Sequence, residues 1–544
     1  MKVSTYVRQA FVFDLKAGMI TAIVSLPLAL AFAIASGVAP VMGLYTAIIA
    51  GFLASSFGGS RFSITGPTGA MTVIILSTIS KHGLEGLLLA TFLAGCILVL
   101  LGLFSLGKLV KYIPFPIVSG FTAGIGLLLL IGQLPNFLGL SIAPQEHVWD
   151  TLVAIGKQFS AIDALAIGLS LATLLILWFF PKLLSKTKLL KYIPASFIAL
   201  FATTFFVHYF GFPVPLVGQI PTQLPSFNFF VISWELVKQV LPAAFTIALL
   251  GAIESLLCAV VADGMTATKH DSNKELVGQG IANIAVPFFG GIPATAAIAR
   301  TAVLIREGAK TRMAGIYHAF FLLLILLFFG SYAALIPKAF LAGMLIFVAV
   351  RMINLREIRT IFRISKYEAG VLVATLLLTV LTDLVFAVQV GMMLAVFLLF
   401  IRFSSLMEIK PIEEYDPTHE LSLLLKENPK LRDNVSIYTL HGPFFFGAMT
   451  LFDTKLEEHM HIKKKYIILR MKHVPYIDAS AVIRLVDFIK SRNKKGYKVF
   501  LAHLQDGVRE TLFANPEFQE LIVDNNLFDT TDEAIDYILK KYLK

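Results

Sequence analysis

Residues 60–72 read Ser60-Arg61-Phe62-Ser63-Ile64-Thr65-Gly66-Pro67-Thr68-Gly69-Ala70-Met71-Thr72 and then turn apolar. A second stretch, Gly290-Gly291-Ile292-Pro293-Ala294-Thr295-Ala296-Ala297-Ile298-Ala299-Arg300-Thr301, does the same. Each brings Gly and Pro to the start of an apolar run and follows them with small or hydroxyl residues. Neither is long enough to cross a bilayer as one helix, because a span needs roughly 20 mostly apolar residues. Each is the third in a run of seven apolar segments, one run starting near residue 17 and the other near residue 241. Seven is odd, so the second run enters the membrane upside down relative to the first. Inverted repeats with paired, Gly/Pro-interrupted spans are the sequence pattern of a secondary transporter with a site near the midplane. A helix that starts inside the membrane leaves N–H groups unpaired at its N-terminus, and these attract an anion together with the helix dipole. Pro costs no hydrogen bond in a first helical turn, so Pro67 and Pro293 are expected to open the two half-helices. Two Pro-kinked helices facing lipid are the plain alternative, and the match between the halves in place and composition argues against it.

The surrounding composition agrees with a membrane protein. The chain has 544 residues, of which 57% are hydrophobic and 15% charged. An ordinary soluble domain is about 25% charged. A purely soluble enzyme, a disordered chain and a nucleic-acid binder with a basic face are thereby excluded. The net charge of +11 becomes intelligible once it is divided along the chain. The first 410 residues hold 27 of the 46 Lys+Arg but only 15 of the 35 Asp+Glu; the last 134 hold 19 and 20. The expected organisation is a transmembrane transport domain at 1–410, a linker at 411–433 and a soluble domain at 434–544.

Apolar runs near 17–36, 41–58, 66–80, 84–107, 115–134, 162–180, 193–210, 241–262, 276–291, 294–306, 313–330, 335–350, 369–382 and 386–403 give about 14 spans. With the N-terminus in the cytoplasm, 22 of the 27 basic residues up to 410 fall in inside loops and four outside, leaving Arg300 within a span. Cytoplasmic loops carry the excess of Lys and Arg, so this split predicts an even number of spans with both termini cytoplasmic. The basic excess is orientation charge and needs no acidic partner.

Charged residues inside spans are functional by default. Glu254 stands in the eighth span with no basic neighbour in that span, and Arg300 stands in the tenth. Glu254 reads as a protonatable coupling group and Arg300 as positive potential behind an anion site. The competing reading is a buried ion pair between them that locks the halves together. Cys96 and Cys258 both lie in apolar runs and offer neither a disulfide framework nor a metal pattern.

Residues 435–440 alternate as a strand, 466–471 form an apolar strand, 482–490 are helical, 498–501 form a strand and 530–542 an amphipathic helix. Strands alternating with helices make a small α/β domain. It has no phosphate loop and no plausible catalytic triad, and His459-Met460-His461 reads as solvated surface rather than a metal site. Phe444-Phe445-Phe446 reads as a buried strand, with a docking strand against the membrane part as the alternative.

On these residues the chain resembles the SulP anion transporters, the sulfate-permease family. The resemblance is most specific at residues 63–70, at 251–270 (GAIESLLCAVVADGMTATKH) and at 275–300 (ELVGQGIANIAVPFFGGIPATAAIAR). The tail resembles a STAS domain, in which Asp478-Ala479-Ser480-Ala481 matches the loop bearing a phosphorylatable Ser; Ser480 is the regulatory candidate. The resemblance implies a multi-span α-helical membrane protein, with about 14 spans in two inverted repeats of seven. It further implies a core and a gate domain, elevator-like alternating access, a homodimer and a regulatory protein partner for the STAS domain. It places the substrate site on Thr68, Gly69, Ala70, Ala297, Ile298, Ala299 and Arg300, with Glu254 as the acidic residue of the eighth span.

One departure bears on coupling. The sodium-coupled bicarbonate branch has hydroxyl residues where this chain has Cys258 and Ile298, and a thiol and a branched alkyl offer sodium no hard ligand. Coupling to H+ through Glu254 is therefore expected, with no metal or other cofactor. The segment around Glu254 is most similar to bacterial members resembling C4-dicarboxylate transporters. The expected function is proton-coupled uptake of a small oxyanion or a dicarboxylate such as fumarate or succinate across a bacterial-type inner membrane. Sulfate or bicarbonate transport is the alternative, or an anion channel or exchanger of the same fold. A nucleobase symporter needs polar side chains to read base edges, and the half-helices offer only Thr and backbone. No catalytic constellation supports a membrane enzyme.

Overall fold

A computed structural model describes residues 10–108, 114–145, 147–184, 194–230, 232–382, 384–404, 406–412, 428–449, 452, 454, 464–522 and 526–543. His459-Met460-His461 and most of the linker lie outside them. The chain forms two compact units that divide at Met393/Leu394.

The first unit is helical, and its element order repeats. The first half runs α1 (Phe11–Ala35), α2 (Pro40–Phe57), the two-residue strand β1 (Thr65–Gly66), α3 (Gly69–Leu103), α4 (Phe115–Phe137), α5 (Val148–Lys157), α6 (Ala164–Leu184) and α7 (Ala195–Phe210). The second runs α8 (Trp234–Thr266), α9 (Ser272–Ala285), β2 (Thr295–Ala296), α10 (Ile298–Arg306), α11 (Met313–Ala333), α12 (Lys338–Met352), α13 (Leu355–Ile364), α14 (Lys366–Leu381) and α15 (Leu384–Ser404), whose last residues belong to the second unit. The orders match once α3 is divided at Gly83, whose φ of 67° and ψ of −172° interrupt the helix. Only glycine takes that conformation at little steric cost. The first part of α3 then corresponds to α10 and the second to α11. Every expected span carries a helix. Among the described residues, eight helical stretches are long and apolar enough to cross a membrane by themselves. α7 and α15 carry shorter apolar stretches, and α9 buries a polar face inside the protein, where lipid does not dictate its composition.

Packing sorts the helices into two sets. In one, α3 lies against α8 and α9, and α11 against α1 and α2. In the other, α4 lies against α12 and α14, and α6 against α7 and α12. Glycines allow a close crossing of α3 and α9: a Cβ on Gly95 of α3 would stand 2.8 Å from the carbonyl oxygen of Gly280 on α9. These positions let two backbones touch and leave α9 almost no freedom to slide.

The second unit holds a five-stranded sheet in spatial order β3 (Glu408–Pro411), β4 (Val435–His441), β5 (Tyr466–His473), β6 (Lys498–Ala502), β7 (Leu527–Phe528). β3 is antiparallel to β4 and the rest are parallel. Side chains alternate across the strands. Ile467, Leu469 and Met471 face α16 (Ala479–Lys494), while Tyr466, Ile468 and Phe500 face α17 (Thr531–Tyr542). Both faces are covered, as parallel sheets require. Asp478 caps α16 by accepting from the Ala481 N–H at 2.8 Å, which leaves Ser480 exposed in the first turn. The expected strand at Phe444-Phe445-Phe446 is not formed. Phe444 makes a single bridge to Ile477 and is fully buried. Phe446 begins a 3₁₀ turn and stacks on Phe400 at 4.8 Å.

Candidate functional site

The two interrupted segments meet. β1 and β2 pair antiparallel, Thr65 with Ala296 and Gly66 with Thr295. The half-helices leave this pair in succession: α3 begins at Gly69 after Thr68, and α10 begins at Ile298 after Ala297. Neither N-cap side chain bonds back to its own helix, so the first N–H groups of both keep their full donor capacity. The prolines do not open the helices as expected. Pro67 precedes the N-cap of α3, and Pro293 stands before β2. The residue ahead of a proline is held extended, so each chain continues as a strand, pairs, and turns helical only afterwards.

Arg300 comes from the third residue of α10. It is 1% exposed, and its Nη2 donates to the carbonyl of Pro67, on the other half. Its Nη1 has no hydrogen-bond partner among the described residues. Glu254, on α8, accepts from the Thr68 hydroxyl at 2.9 Å through Oε2. Glu254 and Arg300 make no ion pair; each side chain reaches the Pro67–Thr68 junction separately. The locking pair is thus replaced by a guanidinium and a carboxylate flanking one N-cap.

The expected site residues divide by exposure. Thr68, Gly69, Ala70 and Arg300 are buried, Ala297 is half-buried, and Ile298 and Ala299 are exposed. A Cβ on Gly69 would crowd Leu129 and Phe32 at 3.2 and 3.3 Å, so the start of α3 is packed on the side facing α4 and α1. A cavity of about 450 Å³ lies farther along α3, between the two helix sets, lined by Thr72, Leu76, Gln133, Asn136, His147 and Lys338 among others. None of the expected site residues lies on its wall. The paired helix N-termini, not this cavity, mark the electropositive point.

α8 and α9 hold this geometry. From α8, the Ser255 hydroxyl accepts from the Ala296 N–H at 3.2 Å and lies 2.9 Å from the Thr295 hydroxyl. The Cys258 thiol donates to the Thr301 hydroxyl at 3.2 Å, and that hydroxyl accepts from the Ile64 N–H at 2.9 Å. α9 contributes Glu275, Gln279 and Asn283, four residues apart and therefore on one face. Glu275 accepts from the Ser60 N–H at 2.8 Å. Gln279 donates to the Thr65 hydroxyl at 2.8 Å. Asn283 both accepts from the Ala294 N–H and donates to the Ala294 carbonyl, each at 2.9 Å. One buried helix face thus holds both interrupted segments. Sequence reasoning missed it, although three polar residues at four-residue spacing within a span are a readable signal.

Asn283→Ala is expected to leave the Ala294 N–H and C=O unpaired, at about 1–3 kcal/mol for each. Its Tm in detergent should fall, and anion uptake should fall with it. A variant with wild-type Tm and uptake would show that α9 packs beside β2 without positioning it.

The comparisons with known proteins cover nearly the whole chain. The sulfate permease family model matches residues 11–375 and the STAS domain model residues 428–534. YvdB of Bacillus subtilis, provisionally named a sulfate transporter, is 42% identical over 97% of this chain and 98% of its own. The bicarbonate transporter BicA of Synechocystis is 33% identical over 96% of this chain and 93% of its own. The structure of the murine anion transporter Slc26a9 in the inward-facing state superposes with a TM-score of 0.86 over 99% of this chain and 94% of that one; at 19% identity this likeness speaks to the fold. Neither sequence relative is named for dicarboxylates, so the expected likeness to C4-dicarboxylate carriers gains no support from them.

Proposed function

Because the chain belongs to the sulfate permease family, whose members are secondary active anion transporters and not enzymes, we propose that it carries a small inorganic oxyanion, with sulfate as substrate. The observation that carries this reading is the pair of converging half-helix N-termini with Arg300 buried between them. Each N-terminus is worth roughly half a positive charge. With Arg300 cationic and Glu254 ionised, the site holds roughly one net positive charge. With Glu254 protonated it holds about two. A buried site favours neutrality, so a divalent anion fits the protonated state and a monovalent one the ionised state. Sulfate uptake thereby brings a proton, and Glu254 is its carrier. Bicarbonate is the second reading, supported by the full-length likeness to BicA, and in this charge balance it travels without a proton.

Sodium has little to hold it. The Cys258 thiol is engaged with Thr301, and Ile298 presents only carbon. Elevator-like motion of one helix set against the other would open a route to the site along their seam. The homodimer, the cytoplasmic termini and regulation through Ser480 belong to the same proposal.

The test is uptake of labelled sulfate, bicarbonate, fumarate and succinate into proteoliposomes at two external pH values, with and without sodium. Sulfate uptake should rise on acidification, bicarbonate uptake should not, and sodium should change neither. Preferred uptake of fumarate or succinate would return the substrate to the dicarboxylates.

A further inference from the structure

The inverted repeat carries a built-in comparison at α5 and α13. Both are ten-residue amphipathic helices, one between the fifth and sixth spans and the other between the twelfth and thirteenth. Seven crossings separate them, so they lie at opposite membrane surfaces. Both present large apolar side chains outward: Trp149 is 66% exposed on α5, and Phe362 is 51% exposed on α13. Their charges differ. α5 has Asp150 and Lys157, which cancel. α13 has Arg356, Arg359 and Arg363 against Glu357.

The spacing of these arginines places all three on one stripe of the helix, and all three are exposed. Among the described residues none has a carboxylate at ion-pair distance. Leu355 and Phe362, seven residues apart, form the adjoining exposed apolar stripe. On the opposite side Ile361 is buried with Ala369 and Leu372 of α14, so the helix is fixed to the bundle and cannot turn its basic stripe inward. A helix with Arg on its polar face and Phe or Leu beside it lies in the interfacial plane of a membrane. Arginine forks match phosphate oxygens bidentately. By the charge bias of the loops, α13 is on the cytoplasmic side, where anionic headgroups attract basic residues.

We propose that α13 is a binding site for the phosphate headgroup of an anionic phospholipid in the cytoplasmic leaflet, with Arg356, Arg359 and Arg363 on the phosphate and Leu355 and Phe362 in the acyl region. α14 and α4, on which α13 rests, are then tied to the bilayer. The proposal stands apart from the identity of the transported anion.

The experiment uses full-length protein in mixed phosphatidylglycerol and phosphatidylcholine, with retained lipids counted by native mass spectrometry. Wild-type protein should retain phosphatidylglycerol preferentially, and less so as salt rises. Each arginine is worth about fivefold, so R356Q/R359Q/R363Q should lose on the order of a hundredfold in relative affinity. The corresponding triple lysine variant should keep most of the preference, and Lys157→Gln on α5 should keep all of it. If the triple glutamine variant does not fold, Arg359→Gln alone should show about a fivefold loss. Absence of a preference in the wild type, or its survival in the folded glutamine variants, would overturn the site. Displacement of the lipid by soluble glycerol phosphate would overturn it equally, by marking a site for free anions.

Discussion

Arg300→Ala should reach the membrane as folded protein and take up no measurable sulfate. The guanidinium is fully buried, and its Nη1 has no hydrogen-bond partner among the described residues. A hydrogen bond to a charged group contributes about 1.5–3 kcal/mol, and the loss of a full buried charge adds to that. A fall of at least about a hundredfold in uptake at low substrate follows. The cost to the fold is smaller. Arg300→Ala leaves the Pro67 carbonyl unpaired, at about 1–3 kcal/mol, while the β1–β2 pair and the α9 contacts remain. Arg300→Lys separates the two contributions. It keeps the charge, loses the second donor branch and should retain weak uptake. The measurements are membrane abundance, Tm and initial uptake rate together. Wild-type uptake by a well-folded Arg300→Ala protein would remove Arg300 from the site and with it the charge balance proposed above.

Composition and Gly/Pro punctuation made much of this fold readable. Long apolar runs located the spans, because lipid tolerates little else. The breaks at Gly66-Pro67 and Gly290-Gly291-Ile292-Pro293 located the two half-helices, because few other residues interrupt a span. The short apolar run at residues 466–471 located a central strand of the soluble unit. Non-local pairing could not be read. β1 and β2 are two residues each and lie about 230 residues apart in sequence, so no local pattern announces them. Their pairing explains why Pro67 and Pro293 stand outside the helices. It also explains why Arg300 reaches the Pro67 carbonyl instead of Glu254. Asp14, near the start of the first span, is likewise buried and accepts from the Lys310 and Thr311 N–H groups at 2.6 and 3.0 Å; those donors lie nearly 300 residues away. The candidate site residues themselves came through family resemblance. Spacing alone marked only the two segments, Glu254 and Arg300.

Glu254→Gln should exchange bound anion at a rate near that of wild type and lose pH-driven accumulation altogether. The glutamine is nearly isosteric, carries no charge and can still accept from the Thr68 hydroxyl, so the N-cap of α3 keeps its partner. It reproduces the protonated carboxyl in shape and charge but has no proton to release. In proteoliposomes with the membrane potential held at zero, one proton per anion allows about tenfold accumulation for each unit of pH gradient, since one unit corresponds to 1.36 kcal/mol. Wild-type protein should approach that limit with sulfate, and Glu254→Gln should equilibrate at the external concentration. Counterflow of unlabelled against labelled sulfate tells a silent coupling step from a dead carrier, because it needs no net proton movement. Glu254→Ala gives the contrast: it strips the partner from Thr68, so exchange should fall as well. Accumulation by Glu254→Gln equal to wild type would assign the proton to another group. Accumulation driven by a sodium gradient alone would show that the Cys258 and Ile298 positions do not exclude a sodium site, and the charge balance at Arg300 would then have to be met by a metal cation instead of a proton.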